Sequence, residues 1–342
     1  MTDSSVTSTA KSARGPESPW RSSLRQLWRN RPAIIGFFVF LVVVAVCLCA
    51  PLYAHYVAHE NPFTSNIQGT FRLHGRTIHV LQQNTQGTGL GVTPIGPTWD
   101  FSHYFLGADN QGRDVFARLL YGGRTSLLIG TSSALICCAV AAVLGVVAGY
   151  FGGPIDWVLS RIFDIIWAFP IYLLAISLSV VLLTTGIQFG PIHVGAGSLL
   201  VPILIIASIY VPYVARPLRG IVISLREREF IQSAIGSGAS DTRILLKEIL
   251  PNVAPSIIVF LPLMVAFNLL TESALSFLSI GVQPPAASWG TIINDGLGLL
   301  YTRPAVAIAP GIMIAITAIS LNILGDGARD AFDPKAKLRG SV

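Results

Sequence analysis

A single carboxylate, Glu272, interrupts a stretch from 249 to 294 that otherwise holds no Asp, Glu, Lys or Arg. Asn268 lies four residues before it, Ser276 four after and Ser279 seven after, so one face of an α-helix would carry all four. A charge that deep in apolar surroundings costs roughly 2.5–3.5 kcal/mol on insertion scales, so it must be paired, wetted or protonated. The stripe therefore faces a pore or a partner chain, or it is a hydrogen-bonded joint between helices. A stand-alone secondary transporter would also need such an acid, which makes Glu272 the foothold for that rival class. His55, His59 and Glu60 form a second group, with imidazoles at i, i+4 and an adjoining acid. A metal-dependent membrane enzyme would use residues of this kind. No third ligand or base falls in register, and a surface role fits better.

Composition says what must position these groups. Hydrophobic residues make up 52% of the 342 and charged residues 12%, with a mean hydropathy of +0.64. A soluble domain carries roughly twice that charge fraction. Charges are missing from 32–59, 125–155, 165–215, 249–271, 273–294 and 304–325, and about 20 apolar residues suffice to cross ~30 Å of hydrocarbon. The run 165–215 is long enough for two crossings around a turn near Thr184–Gly197. Spans are expected at 33–53, 127–149, 158–183, 199–218, 254–280 and 305–325. The fold class is an all-α membrane protein with six transmembrane helices, each satisfying its own backbone. Pro170 should kink the third. Ala141, Gly145 and Gly149, one turn after Cys137, form a strip that lets another helix approach closely. All four cysteines (Cys47, Cys49, Cys137, Cys138) lie within spans and read as small packing residues.

Charge sets the expected orientation. Of the 23 Lys and Arg, 17 fall in 1–32, at Arg161, in 216–247 and from 326 onward. That bias places both termini in the cytoplasm and accounts for the net charge of +6 without a nucleic-acid partner. Residues 1–19 read as a disordered tail. In 20–32, Trp20, Leu24, Leu27 and Trp28 oppose Arg21, Arg25 and Arg29, as in a helix lying in the membrane interface. The first span resembles a signal peptide cut near Ala50–Ala54, but its length and the five later spans favour retention. Residues 54–124 form an extracytoplasmic segment, in which 71–80 is expected to be a β-hairpin turning at His74-Gly75. Arg113, Asp114, Arg118 and Arg124 make a charged patch at its end, read as structural ion pairing or an exposed outer face. The core covers 125–330, with a polar cytoplasmic loop at 219–251, and 331–342 is a second tail.

In that loop a helix is expected to about Ser237, then a break and a second helix. Gly238 suits a left-handed position after a helix end, and Ser240 or Asp241 can cap the second helix. Phe230, Ile231, Ala234 and Ile235 keep an apolar strip. A helix–turn–helix of this kind docks into a groove on a soluble partner, or it is a solvated linker with helical propensity.

The loop resembles the signature of ABC importer permeases: Glu-Ala-Ala, three residues, Gly, nine residues, Ile-x-Leu-Pro. Gln232, Ser233, Ala234, Gly238, Leu250 and Pro251 fall at those spacings, with Gln232, Ser233 and Glu248 departing from the usual types. The likeness extends over 101–335, through Leu106–Val115, Tyr121–Leu127, Ala148–Asp156, Glu272–Leu278, Pro284-Pro285, Ser288-Trp-Gly290 and Asn322–Asp330. These strings are similar to the C-type permease subunit of dipeptide, oligopeptide and nickel importers. The resemblance implies a pore subunit that does no bond chemistry and takes no cofactor, completed by a B-type permease. It implies two ATPase subunits that bind ATP and Mg, and an extracytoplasmic solute-binding protein. Glu229, Phe230, Gln232, Ser233, Ala234, Gly238, Ala239, Ser240, Asp241, Arg243, Leu250 and Pro251 would then form the ATPase-coupling loop. The solute class it implies is peptides, with nickel chelates or other small solutes as the alternative. No G-x-x-x-x-G-K-[ST] phosphate loop occurs, and Lys is confined to 11, 247, 335 and 337. An ATP-driven process would have to keep its nucleotide on another chain.

Overall fold

The computed structural model describes residues 25–73, 76–83, 91–189, 192–195 and 197–332. Five helices among them are long and apolar enough to cross a membrane, or six if one bent pair counts as a crossing. We label the main helices α1 (Arg31–Leu48), α2 (Val115–Phe151), α3 (Gly153–Ala168), α4 (Ile171–Thr185), α5 (Leu200–Arg226), α6 (Glu229–Gly236), α7 (Leu250–Phe277), α8 (Trp289–Gly296) and α9 (Ala305–Phe332). Asn30 caps α1, its side chain accepting from the Ala33 amide, and Pro32 stands where a missing N–H costs nothing. Residues 25–27 are helical and 28–29 form a turn before α1. Trp20–Leu24 and the tails 1–19 and 333–342 lie outside the described residues.

The third span is corrected. It is two helices, α3 and α4, bent by 90°, where a single kinked helix was expected. The Pro170 ring clashes with a helical residue before it, and Phe169 accordingly adopts φ −93°, ψ 140°. The turn after α4 also holds more than expected: Ile187–Phe189 and Ile192–Val194 pair antiparallel.

The second span is longer than the charge gap. α2 runs for 37 residues and begins at Val115, inside the segment assigned to the insertion. Asp114 starts it by accepting from the Ala117 amide at 2.8 Å, and Arg118 in its first turns is accommodated by ion pairs to Asp109 and Asp295. α2 is the centre of the bundle. A Cβ on Gly145 would stand 2.7 Å from the Ala215 carbonyl, and one on Gly149 would stand 2.8 Å from that of Arg219. The expected strip therefore brings the backbones of α2 and α5 into direct contact, with Ala141 and Cys137 buried in the same seam. Pro212 and Pro217 interrupt the hydrogen bonds of α5, and Pro255 and Pro262 those of α7. On its outer side α5 holds the bent arm through Arg219–Asp156 and Arg216–Asp164.

In the insertion, Thr70–Leu73 pairs antiparallel with Arg76–His79 in the register of the expected hairpin. Its turn residues His74 and Gly75 lie outside the described residues. Leu81–Gln83 pairs with Val92–Pro94, and Val80, Ile95, Tyr104 and Ala108 form a small core beneath. Arg303 fastens this cap to the bundle by donating to the Pro94 carbonyl at 2.6 Å.

Candidate functional site

The 229–251 loop is built from its backbone outward. α6 ends at a left-handed residue, Gly238 with φ 76°. The Gly238 amide donates to the Ile235 carbonyl at 2.9 Å and that of Ala239 to the Ala234 carbonyl at 3.1 Å. This pair of bonds satisfies the last carbonyls of the helix and requires positive φ at its middle residue. Nothing lies within 4 Å of where a Gly238 side chain would begin, so conformation, not space, demands glycine there. Asp241–Arg243 opens the next helix, a π-type turn spans Ile244–Ile249, and α7 continues it. The register changes where Pro251 withdraws a backbone donor.

The expected apolar strip divides. Ile231 is fully buried, together with Ile244 and Ile249, and these seat the loop on the bundle. Phe230 and Ile235 point outward, 43% and 46% exposed, and Ala234 is half-buried. Glu229, Gln232, Ser233, Ser240, Asp241, Arg243, Leu250 and Pro251 are exposed and Ala239 half-buried. Ser240 stands at the N-cap position but its hydroxyl makes no capping bond. Asp241 accepts instead from the Tyr150 hydroxyl at 2.7 Å. Arg226 donates to the Tyr150 carbonyl at 3.0 Å, and Gln232 donates to the Arg226 carbonyl at 2.9 Å. One small ring of bonds thus joins the ends of α2 and α5 to the loop. Sequence reasoning missed Tyr150 and Arg226, because their partners are 91 and 76 residues away.

The Glu272 stripe turns mostly inward, and its last two members, Ser276 and Ser279, border a cavity. Asn268, Glu272 and Ser276 are fully buried within this chain, so in this structure they form the joint between helices. Ser276 donates to one carboxyl oxygen of Glu272 at 2.7 Å and Ser273 to the other at 3.3 Å. Ser126 of α2 and Ser288 beside α8 also place their hydroxyls near that carboxyl. With its amide oxygen turned to α2, Asn268 accepts from Ser133 at 3.0 Å and from the Ala134 amide at 2.9 Å. Ser126 accepts from the Trp289 amide, and the Trp289 indole donates to the Leu119 carbonyl at 3.0 Å. Ser279 leaves the stripe, since α7 ends at Phe277 and Ser279 is left-handed with φ 62°. It is exposed and accepts from Asn294. Ser126 and Ser133, seven residues apart on one face of α2, were the readable trace of this joint.

At the opposite end of α2 the charged patch is mostly internal. Arg113 donates to Asp109 at 2.7 Å and to Asp295 at 2.8 Å. Arg118 donates to the same Asp295 oxygen at 2.8 Å and to the Pro62 carbonyl at 3.4 Å. Arg118 and Asp114 are buried, whereas Arg124 is exposed and lies over the Tyr121 ring. Burial pushes the Asp114 carboxyl up to about 6. A cavity of about 630 Å³ opens here between Arg113, Arg118, Gln283, Asn294 and Asp295. His55, His59 and Glu60 line a separate recess, and no group of three or more metal-binding side chains occurs among the described residues.

Residues 141–338 match the family of binding-protein-dependent transport system inner membrane components. Residues 18–69 match the N-terminal TM domain of oligopeptide transport permease C. The chain is 34% identical over 320 residues to the dipeptide transport system permease protein DppC of Alkalihalophilus pseudofirmus, covering 94% of this chain and 91% of that one. It is 33% identical to the glutathione transport system permease protein GsiD of Pectobacterium atrosepticum, covering 94% and 92%. Identity to the oligopeptide transport system permease protein OppC of Haemophilus influenzae is 31%, covering 93% and 89%. With its several apolar helices, the chain belongs to this family of multi-pass permease subunits, in the C-type branch of the peptide importers.

Proposed function

We propose that this chain is one half of a heterodimeric pore in an ATP-driven peptide importer. A B-type permease completes the pore, an extracytoplasmic solute-binding protein delivers the solute, and two ATPase subunits hold ATP and Mg. Both termini and the 229–251 loop face the cytoplasm, consistent with the clustering of Lys and Arg. The observation that carries the reading is the loop itself: a short helix, locked by Gly238 and seated by Ile231, that holds Phe230 and Ile235 outward on a polar surface. Exposed aromatic and aliphatic side chains on a rigid helix are what a groove on a soluble partner takes up. Peptides are the solute that the names of the relatives favour.

Co-expression with the B-type permease and the ATPase subunits tests the assembly. The ATPases should co-purify in mild detergent, and Gly238→Val, which cannot hold positive φ without strain, should release them. Peptide uptake by this chain alone, in vesicles without ATP, would overturn the proposal.

A further inference from the structure

The side-chain bonds between the loop and α2 are few, and they are unusual in one respect. A carboxylate in the first turn of a helix ordinarily bonds that helix's own free amides. Asp241 stands there with no capping bond from Ser240 beside it, yet it accepts from Tyr150, at the end of another helix. Tyr150 is bound twice, by Asp241 at its hydroxyl and by Arg226 at its carbonyl. Tyr150 is 8% exposed, so the hydroxyl is directed by packing as well as by its partner.

What Tyr150 is attached to gives the contact its consequence. α2 meets the backbone of α5 at Gly145 and Gly149 and that of α7 at Gly130, and it meets Ser288 and Ile292 at Gly122 and the Cys47 and Trp289 side chains at Gly123. Contacts that leave no room for a Cβ leave little room for one helix to slide past another. A displacement of the loop that reaches Tyr150 is therefore carried along α2. Its other end holds Arg118 against Asp295 of α8, and both line the 630 Å³ cavity.

We propose that the Tyr150–Asp241 hydrogen bond is the positioning contact through which the loop moves α2, and with it the Arg118–Asp295 clasp at the far cavity. This rests on the loop being the ATPase-docking element. Neither residue touches solute or nucleotide; Tyr150 acts through Asp241 and the helix behind it. A hydroxyl bonded to a carboxylate is a strong, directional tie that a single atom removes.

The test uses the complete transporter, with its partner permease, ATPases and binding protein, reconstituted in lipid. Tyr150→Phe removes the hydroxyl and keeps the ring. The ATPases should co-purify with it as with the unaltered chain and hydrolyse ATP at a similar rate, while solute moved per ATP falls roughly tenfold. Asp241→Ala should lower the same ratio, and the double variant Tyr150→Phe/Asp241→Ala should be no worse than Asp241→Ala alone. A purely structural tyrosine would lower melting temperature, hydrolysis and uptake together and leave the ratio intact, which would overturn the proposal. So would loss of the ATPases from Tyr150→Phe, or additive losses in the double variant. Absence of any ATPase from the unaltered complex would instead overturn the functional reading on which the proposal stands.

Discussion

Glu272 and the 229–251 loop are both polar interruptions of an apolar chain, yet they are built in opposite ways. Glu272 is fully buried, and the hydroxyls of four serines surround its carboxyl. The loop buries Ile231 and turns its polar side chains, with Phe230 and Ile235, to the outside. The first arrangement satisfies its polarity within the chain, as lipid demands of any group that water cannot reach. The second leaves apolar surface uncovered where water is available. Polarity among the long apolar helices is enclosed in a joint, whereas apolarity in the loop is left uncovered.

The sharpest way to break this contrast is at the joint. Glu272→Ala should cost roughly 4 kcal/mol, because the Ser273 and Ser276 hydroxyls lose their acceptor and a cavity opens. Glu272→Gln keeps one acceptor and should cost under about 1 kcal/mol; thermal melting in detergent separates the two. An equal loss in both would mean that charge rather than hydrogen bonding holds the joint.

The next effect is one of pH. The ordinary carboxyl value of 3.8 for Asp114 rises to about 6 in the folded chain, through burial. The native state then keeps its proton to higher pH than the unfolded state. The stability contributed by this group should be present in full below about pH 4 and be lost, by up to roughly 3 kcal/mol, as pH rises through 6. Asp114→Asn should flatten that part of the pH–melting curve.

A smaller loss is expected between α2 and α5. Gly149→Ala forces a Cβ to within 2.8 Å of the Arg219 carbonyl and 2.7 Å of Val222, costing about 2 kcal/mol. Smallest of all, Phe230→Ser should change the melting temperature by an amount equivalent to less than about 0.5 kcal/mol, while weakening ATPase association. A destabilisation like that of Glu272→Ala would erase the distinction between joint and contact.

Much of this was legible in the chain. Long charge-free runs located the spans, because lipid allows little else. Gly145 and Gly149 announced a close helix contact, Pro170 a disturbance, and Gly238 a helix end. What stayed hidden depended on residues far apart. Spacing alone puts Val115 in the extracytoplasmic segment, because Arg113 and Arg118 find Asp295 only after 182 and 177 residues. Spacing puts Ser279 on the same helical face because it does not say that α7 stops at Phe277. The partners of Glu272 on α2 and beside α8 are serines, a residue type too common to stand out until folding gathers them.

The length of α2 has a mechanical side. Thirty-seven residues at ~1.5 Å each make a rod of about 55 Å, against a hydrocarbon layer of ~30 Å. An upright rod of that length has about 25 Å more than the lipid layer needs, and ends standing clear of it would act as lever arms. Rotating such a rod by ~5° about its centre shifts each end by about 2.4 Å in opposite directions, comparable to the length of a hydrogen bond. A modest tilt is thus enough to make or break contacts at both surfaces together, without any change in the helix itself.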